Sequence, residues 1–224
     1  IAPETIIDSY GADTIRWFML SDTPPERDIE WTDEGAEGCW RFVQRIHRLV
    51  TEAENLPPPG AAISDVDDAS LELRRATHRA IAAVTEDLEN LRFNRAVAQI
   101  YTLANAIGVG GASAAVRREA LETLVKLIGP MMPHLAESCW QALGHTSLIV
   151  ETDWPTADTA LTRSDTITIA VQVNGKLRGT IDIARDAEKE AVEKMALEAV
   201  ARALEGKAPR KIIYVPGRIV NVVI

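Results

Sequence analysis

The chain has 224 residues, 46% of them hydrophobic and 25% charged, with a formal net charge of −9. That is enough for one large domain or two smaller ones of ordinary globular composition, and no run of about 18 apolar residues exists to span a membrane. No charged-then-apolar leader opens the chain, and its two cysteines, Cys39 and Cys139, are too few for a disulfide framework, so a cytoplasmic protein with reduced thiols is expected.

Pro3-Glu4 opens a helical pattern in which Ile6, Ile7, Tyr10, Ile15 and Phe18 recur, with Gly11 as a break. Residues 22–32, with Pro24-Pro25 and Trp31, read as a connecting loop. Asp33 is the expected cap of a helix over 34–54, which stops before Leu56-Pro57-Pro58-Pro59-Gly60. A cap between Asp65 and Ser70 opens a helix over 68–90. Asn94 to Gly108 forms a shorter one, and Ser113 caps another that ends near Ile128. Gly129-Pro130 punctuates, and Pro130 or Pro133 stands in the first turn of a last helix ending at Leu143-Gly144. Together these predict an antiparallel helix bundle with short connections. Its apolar stripes, such as Phe93, Val97, Ile100, Leu103 and Ile107, are core and require no cofactor. From residue 145 the chain reads as a link, with Trp154-Pro155 as its anchor on the bundle.

At Ile167 the hydrophobic period changes from 3.6 to 2. Ile167, Ile169, Val171 and Val173 form one strand; Leu177, Ile181 and Ile183 form the next. A two-residue Asn174-Gly175 turn would pair Val173 with Lys176 and mix apolar with cationic residues on one face. A three-residue loop ending at a left-handed Gly175 would pair Val171 with Leu177 and Ile167 with Ile181, and is preferred for its uniform apolar face. It pushes Lys176 and Arg178 together onto the other face. A helix over 187–204 follows, with Val192, Met195, Ala199 and Ala203 inward, and two more strands flank Pro216-Gly217. The fold class is therefore a helix bundle followed by a small α+β domain. The boundaries are 1–32 connecting segment, 33–150 bundle, 151–164 linker and 165–224 α+β domain. About 60 residues are marginal alone, so the last part is expected to be docked or tethered.

The patterns for phosphate loops, nucleophile elbows and zinc helices are absent, and the four histidines are scattered. Cys139 lies five residues after His134 with no second cysteine nearby, so both thiols read as small buried hydrophobes and no metal site is expected. Charge is unevenly spread. Residues 165–224 hold ten Lys and Arg against eight Asp and Glu, a balance of +2, which leaves −11 for the rest. The cations Lys176, Arg178, Arg210, Lys211 and Arg218 sit on or beside tight strand turns, as a polyanion-docking module requires. In the bundle, Arg41, Arg45 and Arg48 fall within about 60° of helical arc, opposite an apolar face. Such a ridge suits phosphate, though pairing with Glu37 and Glu52 would make it a solvated surface.

These segments resemble class I aminoacyl-tRNA synthetases. Pro3-Glu4-Thr5-Ile6-Ile7-Asp8-Ser9-Tyr10-Gly11-Ala12-Asp13-Thr14-Ile15-Arg16 is similar to the stretch after the KMSKS loop. Phe93-Asn94-Arg95-Ala96-Val97 and Gly129-Pro130-Met131-Met132-Pro133-His134-Leu135-Ala136-Glu137 resemble the anticodon-binding bundle. Val173-Asn174-Gly175-Lys176-Leu177-Arg178-Gly179 and the tail from Arg210 resemble the bacterial leucyl branch. The resemblance implies a C-terminal fragment of a monomeric, ATP- and magnesium-dependent leucine–tRNA ligase. The fragment would hold no cofactor and neither activate leucine nor edit. It would bind leucine tRNA, with Arg41, Arg45 and Arg48 on the tRNA body and Lys176, Arg178, Arg210, Lys211 and Arg218 at the outer corner of the L. Tyr214 could stack on a base but is better explained by packing in the strand. Two readings compete: a protein–protein module that adds a strand to a partner sheet, and an isoleucyl- or valyl-type relative.

Overall fold

The computed structural model describes residues 3–21, 26–64, 66–163, 166–184, 187–204 and 209–224. They divide into two compact units, Ile1–Thr162 and Arg163–Ile224. Pro24-Pro25, expected in the first loop, lie outside the described residues.

The first unit opens with α1 (Pro3–Tyr10) and α2 (Ala12–Ser21). Gly11 between them has φ +81°, which costs a glycine little, and its N–H still donates to the Ile7 carbonyl at 2.8 Å. The next helix, α3, spans Asp33–Thr51. Its cap is Thr32 rather than the expected Asp33: the Thr32 hydroxyl accepts from Gly35 N at 3.2 Å. Asp33 and Glu34 lie in the first turn, where the helix dipole favours negative charge. The helix ends short of the expected residue 54, because the chain must turn extended before Pro57 and Asn55 adopts φ +56°.

Three further helices, α4 (Asp68–Glu89), α5 (Phe93–Val109) and α6 (Ala114–Ile128), pack on one another. Asp67 caps α4 by accepting from Ser70 N at 2.8 Å, and the Ser70 bonds hold its carboxyl below the usual range. Ser113 caps α6. Arg92 and Arg95, at the start of α5, lie 3.7 Å and 3.3 Å from the buried Asp87 carboxylate, which gives the Phe93-Asn94-Arg95 motif a structural task. Pro133, not Pro130, opens α7 (Pro133–Ala142). At the centre Trp17 stacks on Phe42, with ring centroids 5.3 Å apart, and donates to the Tyr101 hydroxyl at 3.3 Å.

The segment after residue 145 runs back over the bundle. A 3-10 turn at Ile149–Glu151 is followed by Trp154, whose indole donates to Thr85 Oγ1 at 2.8 Å. The short α8 (Thr159–Thr162) lies against α4, and Asp158 N donates to His78 Nδ1 at 3.0 Å.

The second unit holds β1 (Thr166–Val173), β2 (Lys176–Ala184), α9 (Lys189–Ala199), α10 (Ala201–Leu204), β3 (Lys211–Val215) and β4 (Ile219–Val223). The sheet order is β2-β1-β4-β3, parallel at its centre and antiparallel at both hairpins. Two expectations are corrected here. The β1–β2 turn is the two-residue Asn174-Gly175 form, with φ +48° and +78° and Val173 opposite Lys176. A bulge then restores the apolar face, so Val171 faces Gly179 and Ile169 faces Ile181. Consequently Leu177 pairs with Gln172 and is 63% exposed instead of joining the core. On α9 the inward residues are Val192 and Ala196, continued by Val200 and Leu204, with the expected Ala203 packed against them; Met195 and Ala199 are exposed. The expected set is also a single helical stripe, but one turned to the side of the stripe that meets the sheet. Tyr214 packs against this core from β3.

Candidate nucleic-acid interface

Sheet topology decides which cations of the second unit meet. Asn174 N donates to the Val222 carbonyl at 2.9 Å, and Arg210 N donates to the Val223 carbonyl at 2.8 Å. Lys211 pairs with Val223. The β1–β2 hairpin, the end of β4 and the start of β3 therefore share one end of the sheet. That end presents Lys176, Arg178, Arg210 and Lys211, all exposed and without an ion pair among the described residues. Arg218 is separated from them. It lies in the β3–β4 turn beside Ile219, at the opposite end of β4, roughly 16 Å away at the usual rise per strand residue. Of the five cations singled out in the sequence, the fold gathers four and sets Arg218 apart.

Side-chain amides make that end rigid. Asn174 Oδ1 accepts from Ile224 N at 3.1 Å, and Asn221 Oδ1 accepts from Gly175 N at 3.0 Å. These bonds join the hairpin to β4 and keep the cation-bearing backbone in one geometry.

In the bundle the arginine ridge of α3 is divided. Arg45 turns onto α5, donating to Asn105 Oδ1 at 2.7 Å and to the Ala104 carbonyl at 3.2 Å. Arg41 is exposed and lies 3.5 Å from Glu37. Arg48 is exposed, with no pair to Glu52 among the described residues. An exposed pair such as Arg41–Glu37 is worth well under about 1 kcal/mol, so phosphate can take over that guanidinium at little cost.

The sequence reading missed a polar junction between α2 and α7. The buried Asp13 carboxylate accepts from Leu135 N at 2.6 Å and bonds His134 Nδ1 at 2.9 Å. One turn on, Arg16 donates to the Met131 and Pro130 carbonyls at 2.9 Å and 2.8 Å. Both partners lie in motifs visible in the sequence, but their separation of more than 110 residues left no local signal. Burial pushes the Cys139 thiol up to about 12, where it stays protonated and is a poor nucleophile. Among the described residues no cluster of three metal-ligating side chains occurs.

The chain belongs to the family of anticodon-binding domains of tRNA ligases, whose model matches residues 71–193. Within that class it resembles leucine–tRNA ligases. It is 57% identical over its whole length to the leucine–tRNA ligase of Parvibaculum lavamentivorans and 55% to that of Mesorhizobium japonicum. It spans only 27% of either relative. Among solved structures, the LeuRS–tRNA–LeuAMS complex of Agrobacterium radiobacter K84 matches all of this chain and 30% of its own, with TM-score 0.82 and 30% identity. Mycobacterium tuberculosis methionyl-tRNA synthetase matches 65% of the chain at TM-score 0.51 and 17% identity, a likeness of fold alone.

Proposed function

We propose that this chain is the tRNA-docking portion of a leucine–tRNA ligase. It would hold leucine tRNA while the parent enzyme, monomeric and cytoplasmic, joins leucine to the tRNA at the expense of ATP. The observation that carries the reading is the group of Lys176, Arg178, Arg210 and Lys211 at one rigid end of the small sheet, in a chain otherwise acidic. Similarity along the whole of this chain to part of the leucine–tRNA ligases favours this over an isoleucyl or valyl relative. ATP and magnesium belong, on this reading, to the larger part of the relatives that the chain does not span. Phosphate contacts by these cations position the RNA, while shape and exposed bases supply identity. Arg218 would reach a separate stretch of backbone. In the bundle Arg41 and Arg48 would contact phosphate directly, with Arg45, held against α5 by Asn105 and Ala104, contributing from α3.

A salt titration tests it. Binding is measured to leucine tRNA and to a tRNA without a long variable arm, for the wild-type chain and Lys176→Ala/Arg178→Ala. The wild type prefers leucine tRNA, and the double variant weakens binding with a log–log salt slope shallower by up to about 1.4–1.8, the value for two phosphates. An unchanged slope would remove these side chains from the interface and move the protein–protein reading ahead.

A further inference from the structure

A groove of about 380 Å³ runs between the α1–α2 junction, α3 and the start of α7, walled by Tyr10, Trp40, Val43, His134 and Leu135. Two of these residues are unusual. Trp40 follows the buried Cys39 on α3 yet is 36% exposed, and its indole N–H has no partner among the described residues. The His134 side chain is 78% exposed but held in one orientation by the Asp13 bond at 2.9 Å. Because an ionised carboxylate only accepts, Nδ1 carries the proton and Nε2 points away from Asp13. That nitrogen offers a lone pair when the ring is neutral and an N–H when it is charged. Asp13 is itself consumed by His134 and Leu135 N, so the α7 N-terminus is already capped and the groove wall carries no free carboxylate.

We propose that this groove is an RNA subsite that seats one unstacked nucleotide, its base against the Trp40 indole and its ribose–phosphate on His134 Nε2. The chemistry on the page is that of a nucleotide. An aromatic face takes a base of any sequence. A neutral imidazole accepts from a ribose 2′-hydroxyl, and a charged one donates to a phosphate oxygen. The flanking outer face of α3 carries the exposed Arg48 and Arg41, the latter 3.5 Å from the exposed Glu37, a weak pair that a phosphate on the strand leaving the groove can replace. The inference rests on the tRNA-docking reading and deepens it: it adds a specific contact in the bundle, far in sequence from the basic hairpin.

The test uses the 224-residue chain with leucine tRNA, comparing wild type, Trp40→Ala, Trp40→Phe, His134→Ala and Arg41→Ala/Arg48→Ala, each checked by thermal melting. Trp40→Ala is expected to weaken binding about tenfold without changing the salt slope, because stacking releases no counterions. Trp40→Phe keeps most of the affinity. His134→Ala weakens binding, and Arg41→Ala/Arg48→Ala makes the slope shallower. The subsite is overturned if Trp40→Ala binds within about twofold of the wild type while the arginine variant loses affinity; the bundle then docks RNA without the groove. If the wild type binds no tRNA at low salt, the docking reading fails as well and the groove with it.

Discussion

His78 has one nitrogen that can only accept and one that can only donate. Asp158 N–H occupies Nδ1 at 3.0 Å, so the proton sits on Nε2 and faces Glu119 Oε1 at 3.4 Å. Glu119 also receives Arg74 through Nε at 2.9 Å and Nη2 at 3.3 Å. Burial alone would push the Glu119 carboxyl up, but the His78 and Arg74 bonds outweigh it and hold the group below its usual value. The sign follows from that direction. A carboxyl whose folded value is depressed contributes stability above its unfolded value, near 4.3, and loses it as pH falls through the folded value. Glu119→Gln is therefore expected to cost about 1 kcal/mol at pH 7 in urea unfolding. The gap between variant and wild type should close as pH falls below about 4. A gap that persists at pH 3 would mean that shape, not charge, carries the effect. None of this was legible in the sequence. His78 read as one of four scattered histidines, and its partners lie 41 and 80 residues away. Arg45 escaped for the same reason: the helical arc placed it on the ridge beside Arg41 and Arg48, and only α5 shows what captures it.

Helices were legible where local chemistry sets them. Ser113 and Asp67 cap where short polar side chains precede an apolar stripe, and Pro133 stands at the first helical position. The β1–β2 register was not. Alternation alone favoured the turn that kept every apolar residue on one face, whereas the strands use the favoured Asn-Gly turn and recover the face with a bulge. A bulge adds one residue to one strand and leaves no periodic mark. Packing between α2 and α3 gives the prediction at this scale. A Cβ on Gly35 would lie 2.6 Å from Phe18 Cε2 and 2.7 Å from the capping Thr32 Oγ1. Phe18 is buried and its ring packs on Trp31 with centroids 4.8 Å apart, so moving it breaks that contact. Gly35→Ala should therefore cost about 1–3 kcal/mol, because an overfilled contact must displace the ring or the cap. Tryptophan emission in urea reads this directly. An unchanged midpoint would show that Phe18 has another rotamer available.

Each unit has its own core, and the two cores differ in kind. The first is centred on Trp17, Phe42 and Tyr101; among the described residues the second has a core of eleven buried side chains, all aliphatic. Burial scales with size, so a unit the length of Arg163–Ile224 keeps little margin over its conformational entropy. All five tryptophans, Trp17, Trp31, Trp40, Trp140 and Trp154, belong to the first unit, which makes their emission a probe of that unit alone. Backbone amide signals of Gly175 and Gly179 report on the second. Followed together in urea, the glycine signals should be lost at a lower concentration than the tryptophan transition. Two-state unfolding of the whole chain would then fail the test of coincident probes. The consequence reaches function. A cation cluster on a marginal unit holds its geometry only while the hairpin is formed, so tRNA bound there should shift the glycine transition upward by mass action, while a shift of the tryptophan transition reports the contacts at Trp40, Arg41 and Arg48. If both transitions coincide without RNA, the small unit draws its stability from the first. Lys176 and Arg178 could then not be tested apart from the bundle.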